Sequence, residues 1–201
     1  MIVALIPAGG QSRRMGQPKL LLPLGGQTVL ERVIHTLHQS GIKNTLVVTT
    51  RRIPRLAEVA TTAGAGVVTL PADTPDMRAT VDFGLTWIAQ NWSPAPSDAW
   101  LLVPADHPTL EVSVIQQLLA AAGANQGHSI FVPTHGGNRG HPTLVRWEHV
   151  AVIRSFPPDR GLNEYFRANA AQMLEVPVES PKILCDLDTA EDYERLLQEF
   201  G

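Results

Sequence analysis

The side chains best suited to chemistry stand close together near the start of the sequence. Gly9, Gly10 and Gly16 are interleaved with Arg13, Arg14 and Lys19, and no acid falls between Gln11 and Lys19. Glycine lets the backbone turn sharply and approach a ligand closely. Exposed N–H groups together with fixed cations suit a polyphosphate. The spacing departs from two familiar phosphate loops. A P-loop reads G-x-x-x-x-G-K-[ST], whereas here five residues separate Gly10 from Gly16, and Gln17-Pro18 precede Lys19. The dinucleotide fingerprint G-x-G-x-x-G is also missing. The residues alone leave two readings: a nucleoside triphosphate site, or a strand end followed by a solvated basic loop.

Acids that could answer these cations lie far along the chain. Asp106 opens Asp106-His107-Pro108 at the end of an apolar run, and Asp186 and Asp188 flank Leu187 near the tail. Asp106 is placed to hold magnesium, or equally to cap the turn or the helix that follows. Asp188 could belong to a helix cap, since acids suit helix N-termini. Gly140-His141-Pro142 reads as a hairpin turn. The spacing of His107, His135 and His141 fits no compact metal motif, and His107 is kept out of the metal set.

The elements that must position these groups alternate. Residues 2–6 form a short apolar run that reads as a buried strand. Thr28 and Glu31 form a capping box, and Val29, Leu30, Val33, Ile34 and Leu37 fall on one helical face that Gly41 closes. Strands are predicted over 45–49, 67–70, 99–103, 129–133, 143–145 and 173–178, with a closing strand around Cys185. Helices are predicted over 55–63, 78–92, 111–122, 150–156 and 162–170, and a last one is capped by Thr189 with Asp192 at N3. Strand and helix in alternation predict an α/β fold with a parallel sheet and helical crossovers. In such sheets ligands bind beyond the carboxyl ends of the strands.

Composition narrows the classes. A chain of 201 residues is expected to form one domain over 1–201 with a sizeable core. Its formal charge of −3 argues against wholesale nucleic-acid binding, so cations for an anionic ligand must be concentrated locally. Cys185 is the sole cysteine, which excludes a disulfide framework and a zinc ribbon. The first apolar run is too short for a signal peptide, and no apolar segment approaches about 18 residues. No membrane partner is expected, and the cytoplasm is the expected location.

The string from Ala8 to Lys19, A-G-G-x-S-x-R-M-G-x-x-K, resembles the signature loop of nucleotidyltransferases with a GT-A-like, Rossmann-like fold. Within them it is most similar to the MobA-like NTP transferases, the molybdenum cofactor cytidylyltransferases among them. The resemblance implies a three-layer α/β domain with a mostly parallel mixed sheet. It also implies transfer of a nucleotidyl group from a nucleoside triphosphate to a phosphorylated acceptor, releasing pyrophosphate. Arg14 and Lys19 match the family's triphosphate-binding Arg and its Lys at the phosphate under attack; Arg13 lies at a variable position. Thr80 matches a small polar residue that helps hold the base. The implied nucleotide set is Ala8, Gly9, Gly10, Ser12, Arg13, Arg14, Lys19, Pro71 and Thr80, with Lys19, Arg14 and Asp106 catalytic. Asp106 matches the Asp-x-Pro metal ligand; the tail resembles the family's closing D-I-D-T-x-E-D-Y, in which Asp186 or Asp188 would be the second ligand for Mg2+, Asp186 being favoured because Asp188 has a cap to serve. Gly140 and His141 match a Gly-His-Pro element facing the acceptor. Relatives often carry Arg where Asn163 stands, so one acceptor contact differs.

Ala8-Gly9-Gly10 resembles the guanylyl-transferring branch. The Met-Gly-x-x-Lys spacing, the Thr80 region, Gly-His-Pro and the closing motif are similar to the cytidylyl branch. The expected substrates are therefore CTP and molybdopterin. GTP, or a sugar or alcohol phosphate acceptor, is the alternative within enzymes. A different class is a partner of a molybdoenzyme that binds nucleotide or cofactor without turnover.

Overall fold

The computed structural model describes residues 1–10, 12, 14–157 and 159–200. Strands β1 (Ile2–Pro7), β2 (Pro23–Leu24), β3 (Gln27–Thr28), β4 (Asn44–Thr50), β5 (Gly66–Leu70), β6 (Ala99–Leu102), β7 (Ile130–His135), β8 (Asn138–Arg139), β9 (Thr143–Arg146) and β10 (Met173–Pro177) are joined by seven α-helices. The helices are α1 (Val29–Gln39), α2 (Pro54–Thr62), α3 (Met77–Trp92), α4 (Val112–Ala124), α5 (His149–Ser155), α6 (Leu162–Ala168) and α7 (Ala190–Phe200). The main sheet runs β10-β7-β9-β6-β1-β4-β5, with β8 paired to β7. β1, β4, β5 and β6 are mutually parallel, while β9 runs antiparallel to both β6 and β7. The result is a mostly parallel mixed sheet.

Alternation along β1 sets the layers, because successive side chains point to opposite faces. Ala4 and Ile6 join the buried face covered by α1, α2, α4 and α7. Val3 and Leu5 join the opposite face, covered by α3, α5 and α6. A Cβ on Gly84 would come 2.6 Å from Leu5 Cδ1 and 2.8 Å from Val48 Cγ2. Glycine there lets α3 lie close on β1 and β4, which brings the start of α3 beside the end of β1.

The chain leaves β1, adds β4 and β5 on one side, then returns to place β6 on the other. The order reverses between β1 and β6, and a crevice opens there at the carboxyl ends. The loop after β1 and Asp106 after β6 both reach that crevice. Among the described residues no helix is long and apolar enough to cross a membrane.

The expected closing strand around Cys185 is absent. Residues Pro181–Leu184 form a 3-10 turn. The following N–H groups go elsewhere: that of Cys185 donates to Lys182 O and that of Leu187 to Asp106 O. Helix α6 stops at Ala168, short of residue 170, and a 3-10 turn follows.

Candidate functional site

The loop after β1 is built to present Lys19. Ser12 adopts a left-handed conformation (φ 47°). Its carbonyl accepts from Met15 N and Gly16 N, and its Oγ accepts from Lys19 N at 3.3 Å. Leu20, Leu22 and Leu24 then anchor the chain in the core. Lys19 is thus fixed on a folded turn rather than on a solvated arm.

The tail supplies the opposing acids. Leu187 is fully buried, and its N–H donates to Asp106 O at 2.8 Å, which ties the tail to the segment that follows β6. The Lys19 ammonium donates to Asp106 Oδ2 at 2.6 Å, Leu187 O at 2.7 Å and Asp188 Oδ1 at 2.9 Å. Asp188 Oδ2 also accepts from Arg14 Nη1 at 2.8 Å. Burial alone would lower the Lys19 pKa, but the hydrogen bonds and charges of Asp106, then Asp188, outweigh it and the pKa is raised. The ammonium therefore stays charged.

This geometry separates the two closing carboxylates. Asp186, the one favoured from sequence, makes no hydrogen bond to Lys19 among the described residues and pairs with the buried His107 through Oδ1 and Nδ1 at 3.0 Å. The His107 hydrogen bond lowers the Asp186 pKa against its desolvation. Asp188 is the carboxylate beside Asp106, and it also stays out of the last helix cap, where Asp192 Oδ2 serves Thr189 N at 2.8 Å. Asp106 is not a cap either: α4 starts after Glu111, and the Asp106 side chain faces Lys19. Among the described residues no group of three or more His, Cys, Asp or Glu converges on one point. Asp106 and Asp188 remain as a pair of hard oxygen donors, the set that Mg2+ takes when phosphate oxygens complete its shell.

A cleft of about 440 Å³ opens beside this cluster, lined by Gly9, Gly10, Asp73, Asp76, Thr80 and Asp106 among others. Thr80 is buried and its Oγ1 lies 2.6 Å from Thr74 Oγ1. Asp76 caps α3 by accepting from Ala79 N. Asp73, which sequence reasoning passed over, sits on the same wall and pairs with Arg52. Two expected nucleotide contacts are placed otherwise. Ala8 is buried and its N–H is spent on Val48 O at 2.8 Å. Pro71 lines a neighbouring hollow with Leu70 and Phe83 rather than the cleft. Arg13 lies outside the described residues.

Gly140 and His141 stand on the far side of Asp106. A Cβ on Gly140 would fall 2.3 Å from Ile183 O, so glycine there is required for packing against the tail. His141 N donates to Ile183 O at 2.9 Å. Its Nδ1 is buried without a partner among the described residues, and burial lowers its pKa. The rings of His141 and His107 meet edge to face, 6.4 Å apart.

Comparison with known proteins follows the same lines. A family model, the MobA-like NTP transferase domain, matches residues 4–174. A molybdenum cofactor guanylyltransferase from Mesorhizobium japonicum is 33% identical over 157 residues, 73% of this chain and 66% of that protein. A 2-C-methyl-D-erythritol 4-phosphate cytidylyltransferase from Rhodococcus jostii is 39% identical over 87 residues, 42% of this chain and 37% of that protein. The chain thus spans less than two thirds of the length of either relative. A Mycobacterium tuberculosis protein solved in complex with manganese superposes with a TM-score of 0.77 at 21% identity, covering 98% of this chain and 97% of that one. With its signature loop, cleft and family model in agreement, the chain belongs to the MobA-like NTP transferase family.

Proposed function

We propose that the protein transfers a guanylyl group from GTP to the phosphate of an acceptor, with molybdopterin as that acceptor, and releases pyrophosphate. The observation that carries the reading is the Lys19 ammonium held between Asp106 and Asp188 at the crevice between β1 and β6. An oxygen of the acceptor phosphate attacks the α-phosphorus; the new P–O bond forms as the bond to the β-phosphate oxygen breaks. Phosphate oxygens entering the cleft compete with the two carboxylates for Lys19, which then stabilises charge growing at the α-phosphate. Arg14 holds the β- and γ-phosphates that leave. Asp106 and Asp188 would hold a divalent metal, Mg2+ in the simplest case, which when bound neutralises phosphate charge. No protein nucleophile is required.

The preference for GTP over the CTP expected from sequence has two supports. Relatives matching long stretches of this chain carry the name molybdenum cofactor guanylyltransferase, in keeping with Ala8-Gly9-Gly10. The cleft wall also offers the carboxylates of Asp73 and Asp76, and guanine presents two adjacent donors, N1–H and N2–H2, that one carboxylate accepts together, where cytosine presents its amino group alone. CTP is the second reading, favoured by the cytidylyltransferase relative.

Thermal melting with GTP, CTP, UTP and ATP plus magnesium tests the proposal. A ligand at about a hundred times its dissociation constant adds roughly 2.7 kcal/mol, a rise of roughly 5–10 °C for a chain of this length. GTP is expected to give the largest rise. A larger rise with CTP overturns the base assignment, and a flat response to all four overturns the function. A partner that binds without turnover would show the rise but release no pyrophosphate.

A further inference from the structure

We infer that Arg78 is a positioning residue for the nucleotide cleft: from the first turn of α3 it holds the end of α5, and so fixes the cleft wall that Asp76, Met77 and Thr80 supply. The inference rests on the nucleotide-binding reading proposed above. Arg78 is the second residue of α3, after Met77 and the N-cap Asp76. A cation is unfavourable there, because the N-terminus of a helix is already positive. Asp76 is committed to Ala79 N, and the first turn itself carries no acid. The local sequence therefore gives no reason for an arginine at this position, and the reason lies across the fold.

The Arg78 guanidinium is answered by carbonyls. Nη2 donates to Ile153 O at 3.0 Å and to Phe156 O at 2.5 Å, while Nη1 donates to Arg160 O at 2.5 Å and to Pro157 O. Ile153 lies in α5 and Phe156 is its C-cap; Pro157 and Arg160 bound the turn that leads into α6. A helix C-terminus presents carbonyls and negative potential, so the charge that is misplaced on α3 is well placed on α5. The planar fork spends four of its five N–H donors on this one turn. It also lies 5.6 Å from the centroid of the Phe156 ring, which meets the buried Tyr165 edge to face at 5.4 Å. Arg78 thus ties the start of α3 to the core beneath α5 and α6. Asp76, Met77 and Thr80 line the cleft, whereas among the described residues Arg78, α5 and α6 do not. Arg78 acts on a nucleotide through its neighbours.

The test measures binding to the full-length chain by titration calorimetry with two probes, GTP plus magnesium and inorganic tripolyphosphate plus magnesium. Arg78→Met keeps the aliphatic stem and removes the fork; Arg78→Lys keeps the charge with fewer donors. Arg78→Met is expected to weaken GTP binding roughly three- to tenfold, the scale of one hydrogen bond lost at the wall. Tripolyphosphate, which calls only on the loop after β1 and the acids beside it, is expected to bind as in wild type. Arg78→Lys falls between wild type and Arg78→Met for GTP. Thr28→Ala, which lowers stability away from the cleft, is the reference for destabilisation alone and leaves both affinities unchanged. An Arg78→Met variant that melts lower yet binds GTP like wild type overturns the inference. Equal losses for both probes overturn it too, since they mean a general distortion of the site. Should Arg78→Met not fold, Arg78→Lys decides by the same comparison. Wild-type protein that binds no nucleoside triphosphate overturns the proposed function itself, so the two failures are distinguishable.

Discussion

Lys19 is the point where the amino-terminal loop, the segment that follows β6 and the tail meet. One preorganised donor at a developing charge is worth roughly 2.7–4 kcal/mol, about a hundred- to a thousand-fold in rate. Lys19→Ala and Asp106→Ala are each expected to lose at least that much turnover while circular dichroism stays native; near-wild-type turnover in either would remove its role. The two tail acids make a sharper comparison. Asp188→Asn, which breaks contacts to Lys19 and Arg14, is expected to cost clearly more turnover than Asp186→Asn, measured as kcat/KM for GTP. Equal losses would place Asp186 in the site as well. The residue types here were legible in the sequence, but the pairing was not. Asp186 and Asp188 look alike as text, and only the burial of Leu187 with its bond to Asp106 O decides which of them reaches Lys19.

At the scale of elements, local signals read well. The capping box of Thr28 and Glu31 forms with both bonds present, and the expected face of α1 is buried. Thr28→Ala is expected to lower stability by about 1 kcal/mol in denaturant melts without changing KM for nucleotide, since the cap lies away from the cleft. Gly140→Ala is a different matter. Its Cβ would strike the Ile183 backbone, and the segment that follows carries Asp186 to Asp188. Forcing that contact costs roughly 1–3 kcal/mol, and turnover should fall with it because the tail acids shift. A variant that loses stability but keeps full kcat would uncouple the two. The sequence marked Gly140 as facing the acceptor, but its packing against the tail depends on a partner more than forty residues away, which no local pattern displays. The closing strand was misread for a related reason: the apolar run around Cys185 offers β-like residues, but its backbone donors are spent on a turn and on Asp106.

Over the whole molecule, alternating strands and helices were enough to indicate a parallel α/β sheet. They did not reveal that β9 inserts antiparallel between β6 and β7, because strand order is set by non-local pairing. That insertion brings His149 into the core, with Nδ1 2.6 Å from Tyr165 Oη and Nε2 2.6 Å from Ser129 Oγ. Burial lowers the His149 pKa from its ordinary 6.5, so the folded chain keeps the ring neutral where the unfolded chain protonates it. Stability is then complete above 6.5 and falls as pH drops through and below that value. The melting temperature should be lower near pH ~5.5 than near pH ~7.5, and His149→Gln should reduce the difference, leaving the part due to His38 and His141, whose pKa values burial also lowers; an unchanged slope in that variant would locate the titration in those other groups. Nucleotidyl transfer at the crevice between β1 and β6 is followed with GTP labelled on its α-phosphate, incubated with molybdopterin and magnesium. Label is expected on the acceptor in step with pyrophosphate, both abolished in Lys19→Ala; label that stays on nucleotide while orthophosphate is released would mean hydrolysis in place of transfer and overturn the proposed function.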